Sequence, residues 1–216
     1  MNLKNGRLQH ARLYLILDAS VCTYDRLFII LKKASLYGVD IVQLRDKLGT
    51  SKEILAFTKK ALLLLRGRIP FILNDRVDLA LISGADGVHL GQDDVLLSAA
   101  RKMLGSRAII GVSCQRLEQV RQAYHEGADY IGFGSVFKTL TKPERSPMNE
   151  GLLVKAAAYA WRVEIPLFAI GGITGGNLGL LLQKGVRRIA VCRDILTAKD
   201  TIHSVKRIRR ILDSNF

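Results

Sequence analysis

The feature that most restricts how this chain can fold is a regular alternation: short apolar runs of strand type, each followed by a longer stretch with helical period. The runs are LYLIL at 13–17, IVQL at 41–44, FIL at 71–73, GVHL at 87–90, IIGV at 109–112, YIGF at 130–133, LFAI at 167–170 and RIAV at 188–191. Such short apolar runs read as eight strands. The stretches around them predict helices at about 23–37, 51–65, 76–83, 95–104, 116–126, 150–161, 176–184 and 199–212.

A second repeat supports the count of eight. Gly38-Val39-Asp40, Gly84-Ala85-Asp86, Gly127-Ala128-Asp129 and Gly185-Val186-Arg187 each end a helix and lead directly into strands two, four, six and eight. A glycine just past a helix end can take the left-handed conformation that turns the chain back toward a sheet. The repeating unit is therefore a pair of strand–helix units. Eight such units closing into a ring make a TIM (β/α)8 barrel, expected here as one compact domain over 1–216. Its barrel core lies at about 13–195 and a C-terminal amphipathic helix at about 199–212. The alternative, an open doubly wound sheet, would want a G-x-G-x-x-G turn after the first strand, where Asp18-Ala19-Ser20 stands instead.

Charge and cysteine content exclude several classes. The 33 Lys and Arg against 19 Asp and Glu give a formal net charge of +14, but the cations are scattered along the sequence. The densest group, Lys206, Arg207, Arg209 and Arg210, shares a helix with the apolar stripe Ile202, Val205, Ile208 and Leu212. It reads as a solvated outer face, and no nucleic-acid partner is expected. Three widely spaced cysteines without a CxxC argue against a disulfide framework or zinc site and for a reducing, cytoplasmic setting. No apolar run approaches the roughly 18 to 20 residues that span a bilayer, and Leu13–Leu17 is too short for a signal segment. Neither a membrane nor a secretory route is expected. Nothing in the sequence indicates an oligomeric state.

In a barrel, residues just after the strands converge on one mouth. Those positions here carry Gln43, Arg45, Asp46 and Lys47; Asn74 and Asp75; Gln92, Asp93 and Asp94; Ser113 and Gln115; a long loop from Gly134 to Lys142; and Gly171-Gly172-Ile173-Thr174. Gln43, Arg45 and Lys47 alternate at strand period and offer an amide and two cations to a polyanion, or to solvent. Asp75 and Asp94 are hard oxygen donors on adjacent strand ends, suited to Mg²⁺ bridged to phosphates, or else solvated carboxylates. Asp93 reads as a cap for the helix expected near Val95. Gly171-Gly172 before a helix reads as an anion cradle of backbone amides, or as a connector. Thr139, Thr141 and Lys142 add donors in the longest loop. His89 is expected to be a hydrogen-bonded barrel histidine, and Cys114 and Cys192 small mouth-lining residues.

Taken in order, VQLRDK at 42–47, ILNDRVDLAL at 72–81, GADGVHLGQDD at 84–94, IGVSCQ at 110–115, GADYIGFGSVFKTLTK at 127–142 and IGGIT at 170–174 resemble the thiamine phosphate synthase family. The resemblance runs from about Leu13 to Ile195. It implies a TIM barrel that condenses hydroxymethylpyrimidine diphosphate with thiazole phosphate, giving thiamine phosphate and pyrophosphate. It also implies site residues. Gln43, Leu44, Arg45, Asp46 and Lys47, with Asn74, Ser113 and Lys142, would hold the pyrimidine diphosphate, and Asp75 with Asp94 would hold Mg²⁺. Thr139, Leu140, Thr141, Gly172, Cys192 and Arg193 would hold the thiazole phosphate. Arg45, Lys47, Ser113 and Lys142 carry the catalytic expectation, with no nucleophilic side chain required.

The sequence departs from the family pattern at Gly134-Ser135, where Gly-Pro is usual, at Pro143-Glu144, and at Cys192-Arg193, where the pair normally ends in Ser. A related thiazole tautomerase branch is the nearest alternative activity, but its histidine would fall at Ser135. A phosphate-binding regulatory barrel without catalysis is a second alternative. Arg193 is expected either to grip a phosphate or to turn outward onto Asp194, Glu144 or Glu150.

Overall fold

A computed structural model describes residues 3–139 and 147–214. Eight parallel strands close into a barrel in sequence order. They are β1 (Leu13–Asp18), β2 (Ile41–Arg45), β3 (Phe71–Asn74), β4 (Gly87–Leu90), β5 (Ile109–Cys114), β6 (Tyr130–Phe133), β7 (Leu167–Ile170) and β8 (Ile189–Val191). The helices, in chain order, begin with α1 (Leu3–His10), α2 (Tyr24–Ala34), α3 (Ser51–Leu65), α4 (Val77–Ser83) and α5 (Leu97–Leu104). They continue with α6 (Leu117–His125), α7 (Glu150–Arg162), α8 (Leu178–Gln183), α9 (Arg193–Leu196) and α10 (Thr201–Asp213). Two were not expected. The segment forming α1 is largely polar, and the four residues of α9 are too few to display a period.

Alternate residues of each strand feed two cores, because side chains of a strand point to opposite faces. Leu13, Leu15 and Leu17 pack outward with Val42, Leu44, Leu73 and the helices, while Tyr14 and Ile16 point inward to Ile72, Tyr130 and Phe168. Leu8 of α1 belongs to the inner cluster.

The glycine–x–aspartate triplets act as two-sided locks. Gly38, Gly84 and Gly127 all take positive φ, as a helix-ending turn requires. Each following aspartate then grips the preceding odd strand with both its groups. Asp40 N–H donates to Leu13 O while its carboxylate accepts from Leu13 N–H. Asp86 does the same at Phe71, and Asp129 at Ile110. The fourth triplet ends in Arg187 and has no carboxylate to repeat the pattern.

The basic face of α10 is only partly solvated. Its stripe is buried at Val205, Ile208 and Leu212, as expected. Arg209, however, pairs with Asp40 and Asp213, Arg207 pairs with Asp194, and Lys206 sits over the Tyr37 ring. Two of the four cations thus fasten the helix to the barrel. Among the described residues, no helix is long and apolar enough to cross a membrane.

Candidate active site

A cavity of about 380 Å³ opens at the carboxyl ends of the strands. That size is typical of a small-ligand site, and this end is where barrel enzymes of this architecture place their chemistry.

On one side of the mouth, Asp75 and Asp94 face each other within hydrogen-bonding contact, and Lys47 Nζ lies 2.5 Å from Asp75 Oδ2. Asp75 has φ 60°, in the left-handed region that aspartate tolerates better than most residues. Burial, together with the Asp94 carboxylate, holds the Asp75 carboxyl above the usual carboxylate range against the opposing pull of Lys47. Asp94 Oδ2 also accepts from Gly91 N–H at 2.7 Å. Two oxygen donors converging beside a lysine ammonium form a set that a divalent cation fits, since it relieves the repulsion between them. Neighbouring Asn74 lines the cavity, and its buried Nδ2 has no hydrogen-bond partner among the described residues.

The rest of β2 divides by side-chain direction. Gln43 is buried in the cavity wall, where Nε2 donates to Tyr14 Oη at 2.7 Å. Leu44 points into the layer between barrel and helices, so only its backbone faces toward the mouth. Arg45 lines the cavity and pairs with Asp18 at 2.8 Å. Asp46 serves the following turn, accepting from the Tyr24 hydroxyl and the Leu48 and Gly49 amides. Burial would raise its carboxyl, but these donors outweigh burial and hold it below the usual range. Ser113 lines the cavity with Oγ 2.9 Å from His89 Nε2, and its carbonyl accepts from Gln92 Nε2 at 2.6 Å.

Across the cavity stand Ser135, Lys138, Thr139, Gly172, Cys192 and Arg193. Gly172 has φ 64°, and a Cβ there would meet Lys138 O at 2.4 Å and the Phe137 side chain at 2.8 Å. Only glycine lets these two turns touch. Ser135 donates to Phe137 O at 2.8 Å. Arg193 is half-buried and has no ion-pair partner among the described residues. Of the acids considered for it, Asp194 is held by Arg207 and Gly175 N–H, and Glu150 by Lys184. Leu140, Thr141, Lys142 and Glu144 lie outside the described residues.

Two expectations are corrected. Cys114 does not line the mouth: it is buried in the outer core, because its strand position points outward, and burial pushes its thiol up to about 12. Asp93 does not cap a helix, since α5 begins at Leu97 and Leu96 occupies the cap position without a side-chain bond. His89 is a hydrogen-bonded barrel histidine, held between Tyr130 and Ser113. Sequence reading missed Asp18, Tyr14, Tyr130 and Lys138. Asp18 was detectable in principle, since parallel register sets it beside Arg45.

Comparisons with known proteins agree in direction. A family model described as thiamine monophosphate synthase matches residues 13–195. The thiamine-phosphate synthase of Prochlorococcus marinus (strain MIT 9313) is 47% identical over 165 residues, covering 76% of this chain and 46% of that protein. That of Halalkalibacterium halodurans is 40% identical over 190 residues, covering 88% of this chain and 89% of that one. The chain thus spans about half the length of the first relative and most of the second. Among solved structures, a thiamine phosphate pyrophosphorylase from Pyrococcus furiosus superposes with a TM-score of 0.84 at 32% identity, covering 97% of this chain and 98% of its own.

Proposed function

The chain belongs to the thiamine monophosphate synthase family, and from that membership we propose that it joins hydroxymethylpyrimidine diphosphate to thiazole phosphate, releasing pyrophosphate and thiamine phosphate. The observation that carries the reading is the pairing of two anion-seeking regions around one cavity. One has Arg45 and the Asn74 amide, beside the cation-seeking Asp75–Asp94 pair; the other has Gly172, Thr139 and Arg193, which has no ion-pair partner among the described residues. A reaction that brings a diphosphate and a phosphomonoester together needs both.

In this reading the bond between the pyrimidine methylene and the diphosphate oxygen breaks, with its electron pair leaving on the diphosphate. The thiazole nitrogen lone pair then forms the new carbon–nitrogen bond. No proton transfer is needed, which suits a site that requires no nucleophile or general base. Arg45, Lys47 and Asn74 bind the departing diphosphate, and Lys142, beyond the described residues, adds a further cation in the same role. Asp75 and Asp94 are the residues that would hold Mg²⁺, which would supply charge neutralisation for the departing diphosphate. Gln43 and Ser113 hold the pyrimidine. Thr139, Leu140, Thr141, Gly172 and Cys192 line the thiazole phosphate end, where Arg193 can grip two phosphate oxygens at once.

The test is to incubate purified protein with both phosphorylated substrates and Mg²⁺ and to measure thiamine phosphate by fluorescence after oxidation. Product formed only when all three are present supports the synthase. Binding of pyrophosphate or thiazole phosphate without product points to a phosphate-binding barrel. Isomerisation of the thiazole alone points to the tautomerase branch, whose histidine is replaced here by Ser135.

A further inference from the structure

Two departures from the family pattern, Ser135 and Arg193, stand on the same wall of the cavity, and Lys138, a residue with no role so far, stands with them. The segment that carries Lys138 is fastened at several points. Val136 N–H donates to Ile170 O at 2.9 Å and Phe137 N–H to Gly171 O at 3.0 Å, so the chain after β6 runs alongside the turn after β7. Gly172 packs against the Lys138 carbonyl, where a Cβ would come within 2.4 Å. The last fastening comes from a side chain. Ser135 is buried and its own carbonyl accepts from Met148 N–H at 2.8 Å, while its Oγ donates to Phe137 O at 2.8 Å, the oxygen of the peptide that Phe137 shares with Lys138. A proline at 135, usual in the family, has no hydroxyl with which to make that bond.

The backbone of Lys138 is thus held firmly, while its side chain is exposed at the mouth and has no ion-pair partner among the described residues. Arg193 shares that condition. Asp194, the acid next to it in sequence, is taken by Arg207 and the Gly175 amide. Two cations that the protein leaves without an acid therefore border one cavity, from separate segments after β6 and β8. An anion bound at this wall gains from both. A phosphomonoester carries about 1.5 to 2 negative charges at pH 7, more than one guanidinium neutralises. The two side chains also suit different tasks: the guanidinium fork takes two oxygens in its plane, and a lysine ammonium acts as a point charge on a third.

We propose that Lys138 is a second cation of the phosphomonoester end, binding the phosphate together with Arg193, and that Ser135 is the positioning residue that holds the Lys138 peptide in place for it. Ser135 touches no phosphate in this arrangement and acts only through Lys138. The alternative role for Lys138 is that of a solvated lysine at the rim, for which the hydroxyl of Ser135 would be a fastening of the loop and nothing more. The proposal rests on the synthase reading for the identity of the ligand, thiazole phosphate, whereas binding of that ligand is measurable without turnover.

Two measurements test it separately. In calorimetric titration of thiazole phosphate, with Mg²⁺ and pyrophosphate present to fill the other end, Lys138→Gln should weaken binding about tenfold and Lys138→Arg should recover most of the loss. In steady-state kinetics the same K138Q change should appear as a raised KM for thiazole phosphate, with the KM for the pyrimidine diphosphate unchanged. Ser135→Ala should give a smaller rise in the same KM, about threefold, and none when it is added to K138Q. Ser135→Thr, which keeps a hydroxyl, should restore the wild-type value. The double variant carries the decision on Ser135, because a merely structural role would persist in full after Lys138 is neutral. An S135A loss that simply adds to that of K138Q would overturn the positioning role. Equal thiazole phosphate affinity in K138Q and wild type, or no binding to wild type at all, would overturn the assignment of Lys138. Wild-type protein that binds thiazole phosphate and makes no thiamine phosphate would sink the synthase reading alone, and the titration would still decide Lys138.

Discussion

Arg45 and Asp18 are register partners on β2 and β1, with Arg45 Nη1 2.8 Å from Asp18 Oδ2. The carboxylate is almost wholly buried and also accepts from the Ser20 amide and hydroxyl, so Asp18 holds the guanidinium at the edge of the cavity. Removing the guanidinium should therefore have two effects. Arg45→Met should lower kcat/KM by about 10², as expected for a lost contact to departing charge. It should also cost about 3 kcal/mol of stability, because a buried carboxylate is left without its cation. Chemical denaturation and steady-state kinetics on the same preparation check both. An Arg45 variant that weakened only thiazole phosphate binding would show that the two ends of the site are reversed.

Asp75 and Asp94 should behave oppositely toward stability and turnover. Asp75→Asn and Asp94→Asn should each lower Mg²⁺-dependent turnover by about 10² or more. In metal-free protein the same substitutions should raise Tm at neutral pH, because a repelling pair of carboxylates is removed. The pH dependence follows from the direction of the Asp75 shift. Its folded value lies above the ordinary 3.8, so the stability given by its proton is full below 3.8 and is lost as pH rises through the raised value. The wild type should lose that increment across this window, the Asn variants should not, and Mg²⁺ should restore it. Calorimetry with and without chelator reads each limb.

Arg193 should act on one substrate only. Changing Arg193 to Ser should raise KM for the thiazole phosphate about tenfold and leave KM for the pyrimidine diphosphate unchanged, since a charge-assisted bond to phosphate is replaced by a hydroxyl. Unaltered or improved kinetics would show that the guanidinium stands clear of the phosphate.

The three cysteines should separate by reactivity. Cys114, buried and with its thiol pushed up to about 12, should resist alkylation in the native state near neutral pH. Cys192, in the cavity wall, should be labelled and should be protected by thiazole phosphate. Mass spectrometry of the labelled peptides distinguishes them, and protection at Cys22 instead would move the phosphate end elsewhere.

The eight strands were legible because parallel strands, covered on both faces, must be written as short apolar runs, and their ends matched the structure to within two residues. The mouth was legible for the same reason: once the strands are counted, Arg45, Asn74, Asp75 and Asp94 are placed by topology. What escaped had no local signature. Tyr130 reads as one more apolar residue of β6, and only the inward face of the barrel brings it to Tyr14 and His89. Arg193 was foreseen as a departure, but its lack of an ion-pair partner among the described residues depends on Arg207 reaching Asp194 from α10. Cys114 was misplaced because β5 runs on to residue 114, and one further step along a strand reverses the face.

The aspartate locks at Asp40, Asp86 and Asp129 divide the ring in a way that the closed sheet conceals. Each lock joins the two strands of its own pair at the entrance of the second strand, opposite the mouth, and Asp40 and Asp129 also take Arg209 of α10 and Arg101 of α5. Three of the four strand pairs are thus fastened at the end opposite the cavity mouth. Such segments are natural units of exchange. Each of these three quarters should be transplantable between relatives as a cassette, carrying its own mouth loops forward and its own fastening behind.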